Sequence, residues 1–219
     1  MSVREKFDFE LNLAQNQLIE LSTMAIEALD KSIDALINHD IDAALEVIED
    51  DSDINILEEE LNDRVILIIA KQSPVATDLR RLVVLIKIAS DLERIGDYAV
   101  NIAKETIRIG KEELVTPIEL IKQMRNLATA MLRQVIEAFI EEDVVKGKEI
   151  AELDDQVDEL YGESIRRLMM AGASNPEKLS QITQLAFISR YMERSADHAT
   201  NIAEQLFYLV RGKHYNLNN

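Results

Sequence analysis

The stretch DLERIGDYAVNIAKE at residues 91–105 is written again as YMERSADHATNIAEQ at residues 191–205. Seven of the fifteen aligned positions are identical, where two unrelated stretches share about one. The shared frame, E-R-x-x-D-x-A-x-N-I-A, mixes charge and apolar residues at helical spacing, so one amphipathic helix occurs twice. A second correspondence precedes it: DSDINIL (51–57) aligns with DDQVDEL (154–160), a shift of 103 residues. A repeat of this size predicts two similar helical bundles in tandem.

Composition points the same way. Six Gly, three Pro and 5% aromatic residues leave little for strands and turns, so the chain is expected to be all-α. The prolines punctuate it in SPVATDL (73–79), TPIELI (116–121) and NPEKLS (175–180). Ser, Thr or Asn before Pro reads as an N-cap with Pro in the first turn, which predicts helix starts near Pro74, Pro117 and Pro176. Polar clusters at NHDID (38–42) and EEDVV (141–145) supply two softer breaks. The prediction is six helices, over 3–37, 41–72, 74–110, 117–141, 144–171 and 176–211. They fall into two three-helix bundles, residues 1–113 and 114–219, each with its own core and packed on one another.

The bulk properties exclude several classes. There is no cysteine, hence no disulfide, thiolate metal site or redox motif. The amino terminus lacks an apolar signal segment, and no apolar run approaches the roughly 20 residues of a membrane span, so a soluble protein is expected. Net charge is −17, with eleven carboxylates and no Lys or Arg between Asp40 and Asp63. Such a surface repels phosphate backbones and makes nucleic acid an unsuitable partner.

The repeated frame carries the candidate site. Residues four apart share a helix face, so Glu93 and Asp97 project together, as do Glu193 and Asp197. The apolar stripe of the third helix runs through Leu85, Ala89, Leu92, Gly96, Ala99 and Ala103, with both carboxylates beside it. Gly96 and Ala196 permit close approach of a neighbouring helix. The second helix of each bundle repeats the spacing with Asp51 and Asn55, then Asp154 and Asp158. If these pairs face one another, each bundle gathers three or four carboxylates, a hard-oxygen set suited to magnesium, manganese, iron or zinc. Like charges at i,i+4 repel, so their duplication beside the core calls for a cation or a salt-bridged surface. Arg94 and Arg194 are expected to face solvent or another chain. His39 and His214 are expected to be exposed, and His198 replaces Tyr98, so histidine is no part of the repeated design. A ferritin-like di-iron oxidase needs E-x-x-H motifs, and no histidine here has Glu three residues before it.

The segments PVATDLRRL (74–82), KIASDLERIGDYAVNIAKE (87–105) and YMERSADHATNIAEQ (191–205) closely resemble the PhoU family. The resemblance spans essentially the whole chain. It implies a cytoplasmic, non-enzymatic regulator, homodimeric, that restrains phosphate uptake and phosphate-starvation signalling. Such a regulator contacts the ATPase of a phosphate ABC transporter and, in many bacteria, a sensor histidine kinase; the net charge of −17 separately implies that any membrane association comes through a protein partner. It further implies multinuclear metal clusters on E(D)-x-x-x-D motifs, which fall here on Glu93 and Asp97, on Glu193 and Asp197, on Asp154 and Asp158, and on Asp51 and Asn55. Asn55 departs from the acidic pattern and leaves the first cluster a charge short. An acidic helical scaffold without a phosphate role is the alternative.

Overall fold

A computed structural model describes residues 2–217. It contains α1 (Val3–Asn38), α2 (Ile41–Gln72), α3 (Ala76–Ile109), α4 (Glu119–Glu141), α5 (Val144–Ser174) and α6 (Leu179–Arg211), with a 3-10 turn at Pro176–Lys178 before α6. Among the described residues there is no strand, and no helix is long and apolar enough to cross a membrane.

Each helix exists because its apolar residues recur at alternating intervals of three and four. In α1 the buried series runs Leu11, Ala14, Leu18, Leu21, Ala25. In α2 it runs Ala44, Val47, Ile54, Leu61, Val65, Ile68. Such stripes are satisfied by antiparallel packing along the whole length. Helices α1–α3 form one bundle and α4–α6 the other. They join through α3 against α6 and α1 against α4. A single contiguous core runs through both, from Phe7 in α1 to Leu209 in α6.

The helix ends correct the proline reading. Ser73 does not cap α3. It closes α2 in the left-handed region (φ 47°), its N–H donating to the Ile69 carbonyl. Pro74 lies between the helices, and α3 starts at Ala76 with the extended Val75 as an N-cap without a side-chain bond. Pro117 likewise precedes α4, which begins at Glu119. Only Pro176 occupies a first-turn position, and there the Asn175 side chain bonds back to the Ala171 carbonyl, ending α5. The side-chain N-caps are Ser2, in a capping box with Glu5 ahead of α1, and two aspartates in the softer breaks: Asp40 accepts from the Ala43 N–H, and Asp143 from Val145 and Lys146.

The contact between the bundles is antiparallel and centred on the repeated frames. His198 Nδ1 meets Asp91 Oδ1 at 2.7 Å, and Tyr98 stacks on Tyr191 with centroids 5.9 Å apart. These two pairs are equivalents of one another under the hundred-residue repeat. His198 is thus half-buried at the interface. His39 is also half-buried, against the expectation of exposure, because as the left-handed C-cap of α1 it lies against the Gly110 carbonyl. His214 is exposed.

Candidate functional site

The intervals that build α2 and α5 place carboxylates in the packing seam itself. Continuing the series of α2 through 44, 47, 51, 54, 58 and 61 puts Asp51 and Glu58 at positions where an apolar side chain would normally sit. In α5 the series 147, 150, 154, 157 puts Asp154 there, and Asp154 is buried. The facing helix approaches closely: a Cβ on Gly96 would lie 3.3 Å from Asp51 Oδ1 and 3.2 Å from Ile54 Cδ1. Each repeated frame is therefore laid directly over a carboxylate of the second helix.

In the first bundle Asp51, Glu93 and Asp97 interact, and Glu58 acts on Glu93 as well. Burial holds the Asp51 and Glu93 carboxyls above the usual range, and the neighbouring Asp97 adds to both shifts. Asn55 donates to Asp51 Oδ2 at 3.2 Å, leaving Asp51 Oδ1 and its own Oδ1 buried without a partner. Glu58, one turn further along the α2 seam, adds a carboxylate near Glu93 that the repeated motif does not contain, and it accepts from the Asn62 amide at 2.6 Å.

The second bundle gathers Asp154, Asp158, Glu193 and Asp197. Glu193 is the more buried counterpart of Glu93, its side chain 11% exposed against 23%. Burial and then the neighbouring Asp197 push the Glu193 carboxyl up to about 7, and the same two causes push Asp154 up to about 6. Asp158 and Asp197 are also raised, first by burial. Glu193 Oε2 is buried and unpartnered, and Asp154 Oδ1 is buried with the Thr200 hydroxyl beside the carboxyl, which opposes the upward shift. Orphaned acceptors in a native core call for a missing partner.

The arginines are exposed, as the helical angle predicts, but they fold back on their own frames. Arg94 reaches Asp97 at 2.8 Å, and Arg194 reaches Asp197 at 3.8 Å. Arg190, which the motif reading did not single out, pairs with Glu193 at 2.5 Å and lies over the Tyr161 ring. These cations neutralise the outer oxygens and leave the seam oxygens open.

The donor set, carboxylates with an amide or hydroxyl oxygen, fits a hard cation, and so do the orphaned oxygens. Among the described residues no three such groups stand close enough to form a coordination shell as placed. Binding would draw the carboxylates of each patch together.

Two stretches of the chain, residues 18–106 and 121–206, match the PhoU domain. Over 98% of its length it is 34% identical to the phosphate-specific transport system accessory protein PhoU homolog of Clostridium acetobutylicum, covering 99% of that protein. It is 30% identical to the phosphate-specific transport system accessory protein PhoU of Escherichia coli K12, covering 96% of this chain and 87% of that one. The crystal structure of PhoU from Pseudomonas aeruginosa superposes with a TM-score of 0.90 at 30% identity, covering 94% of this chain and all of that one. PhoU from Streptococcus pneumoniae, a phosphate transport system regulatory protein, superposes with 0.89 at 29% identity, covering 96% and 99%.

Proposed function

The chain belongs to the PhoU domain family, and from that premise we propose that it is a non-catalytic regulator of phosphate uptake and phosphate-starvation signalling. It works by contact with the ATPase of a phosphate transporter, with a sensor histidine kinase, or with both. The observation that carries this reading is the end-to-end similarity, through both repeats, to proteins named as accessory to phosphate-specific transport. Deleting the gene in its own host is expected to derepress phosphate uptake or phosphate-starvation genes. Unchanged uptake and unchanged starvation-gene expression, in both rich and starved medium, would sink the proposal.

Within this reading each carboxylate patch holds a divalent or trivalent metal ion. Asp51, Asn55, Glu58, Glu93 and Asp97 serve the first ion site, and Asp154, Asp158, Glu193 and Asp197 the second. A bound cation would supply positive charge where the seam carboxylates are otherwise desolvated beside one another. The chain's own part is to hold those oxygens between two helices at a glycine or alanine. The ion pairs of Arg94 and Arg190 favour a second reading, in which arginine alone balances the patches. Dialysis against iron, zinc, manganese and magnesium, followed by elemental analysis, separates the two. Metal retained by the native chain and lost from the Glu193→Ala, Asp197→Ala double variant supports the ion. Equal metal content in both supports arginine alone.

A further inference from the structure

The α3–α6 contact has two ends, and the chain covers them differently. Where α3 stops and α6 begins, the connection to α4 crosses over the neighbouring helix. Glu112 pairs with Lys178 at 2.8 Å, the Gln181 side chain accepts from the Val115 N–H and donates to the Glu113 carbonyl, and Leu114 and Val115 pack on the core. The covering segment reads Glu-Glu-Leu-Val. Where α6 stops and α3 begins, the chain turns back along its own helix instead. His214 stacks on Tyr208 with centroids 4.2 Å apart, and the Leu217 N–H donates to Glu204. Left open is a groove of about 320 Å³ lined by Ala76, Leu79, Arg80, Val83 and Tyr208.

Its chemistry is out of character for a chain of net charge −17. Arg80 lines the groove and fills the space beside Gly212, and Lys87 stands over the Tyr208 ring at 5.7 Å. Neither Arg80 nor Lys87 has a carboxylate partner among the described residues, while the nearby Asp78 is engaged by Arg4 and Arg81. Beside them Val75 is 75% exposed and Leu79 37%. The entry to α3 is held in a costly shape, with Ser73 and Ala76 both at positive φ. Unneutralised cations beside exposed apolar side chains complement a segment that carries carboxylates and apolar residues. That is the composition the chain itself lays over the other end of the same helix pair.

We propose that the groove at the start of α3 and the end of α6 is a docking site for an acidic, apolar segment of a partner protein. A short segment meets only these local cations, whereas an extended anionic membrane would also face the rest of a chain of net charge −17. The proposal holds whether or not that partner belongs to a phosphate transporter.

The test uses the full chain and a fluorescein-labelled peptide in which Glu-Glu-Leu-Val is written twice. Anisotropy should report binding, and methyl resonances of Leu79 and Val83 should shift while those of α2 and α5 do not. Lys87→Glu and Leu79→Asp, both at exposed positions, should each weaken binding by about tenfold or more, with unchanged circular dichroism. A peptide with Lys replacing Glu should not bind. Absence of binding, shifts elsewhere on the molecule, or indifference to both substitutions would overturn the assignment. Binding of phosphatidylserine vesicles with the same sensitivity to Lys87→Glu would also overturn it, in favour of a lipid surface.

Discussion

Asp154 and Glu193 set the residue-scale chemistry. Both carboxyls titrate above their ordinary range in the fold, so the folded chain binds protons more tightly than the unfolded one. The stability this confers is complete below about pH 4, where both states are protonated, and is lost as pH rises toward about 7. Glu193→Gln keeps the shape and removes the charge. In the presence of a chelator it should stabilise the fold by about 1–3 kcal/mol at pH 8, and progressively less as pH falls toward 4. Calorimetry across that range checks the sign; a gain at acid pH only would mean that the shifts are misread. Cations compete with the same protons, so metal affinity should rise over the same window in the native chain. The Glu193, Asp197 double alanine variant should lose more metal than the Glu93, Asp97 one. The deeper burial of Glu193 and the fully acidic companion pair Asp154 and Asp158 both point that way.

At the scale of an element, the two patches depend on how closely helices approach. Gly96 admits α2 with Ile54 and Asp51 within 3.3 Å of the place a Cβ would take, and Ala196 holds the equivalent place in the second frame. Gly96→Val should destabilise by about 1–3 kcal/mol through overpacking and should lower metal content in the first bundle, because it displaces Asp51. Gly162 is the control: it also lies inside a helix, but nothing stands within 4 Å of its missing Cβ. Gly162→Ala should stabilise by about 0.5–1 kcal/mol. Denaturant midpoints of the two variants should therefore move in opposite directions.

For the whole molecule, the relevant fact is one core shared by two repeats. Helices α3 and α6 are apolar toward both their own bundle and each other, and Ile88, Ala99, Ile188 and Ala199 are all fully buried. Across the second contact Arg125 pairs with Asp34 at 2.8 Å. The intact chain should unfold in a single cooperative transition. Residues 1–113 or 114–219 alone should aggregate or self-associate through the uncovered α3 or α6 face. Co-expression of the halves should restore a single sharp peak in size-exclusion chromatography. Two stable, independent, monomeric halves would contradict the shared core.

The sequence by itself determined the all-helical class, the tandem organisation and the pairing of Glu93 with Asp97 and Glu193 with Asp197, because helical periodicity and a repeat are local and survive in one dimension. The α2 spacing also contained Glu58, unread because motif alignment attends to matching letters and not to the packing series. Tertiary structure alone decided the rest. Whether Ser73 would open α3 or close α2 depended on which helix kept its backbone bonds, and the seam packing of α2 settled that. Glu193 is more buried than Glu93 although both occupy the same place in frames that share seven of fifteen positions, so the difference comes from the helices packed over them and not from the frame itself. The meeting of Asp91 with His198 across 107 positions has no local signal, since it exists only once two separately specified bundles are packed together.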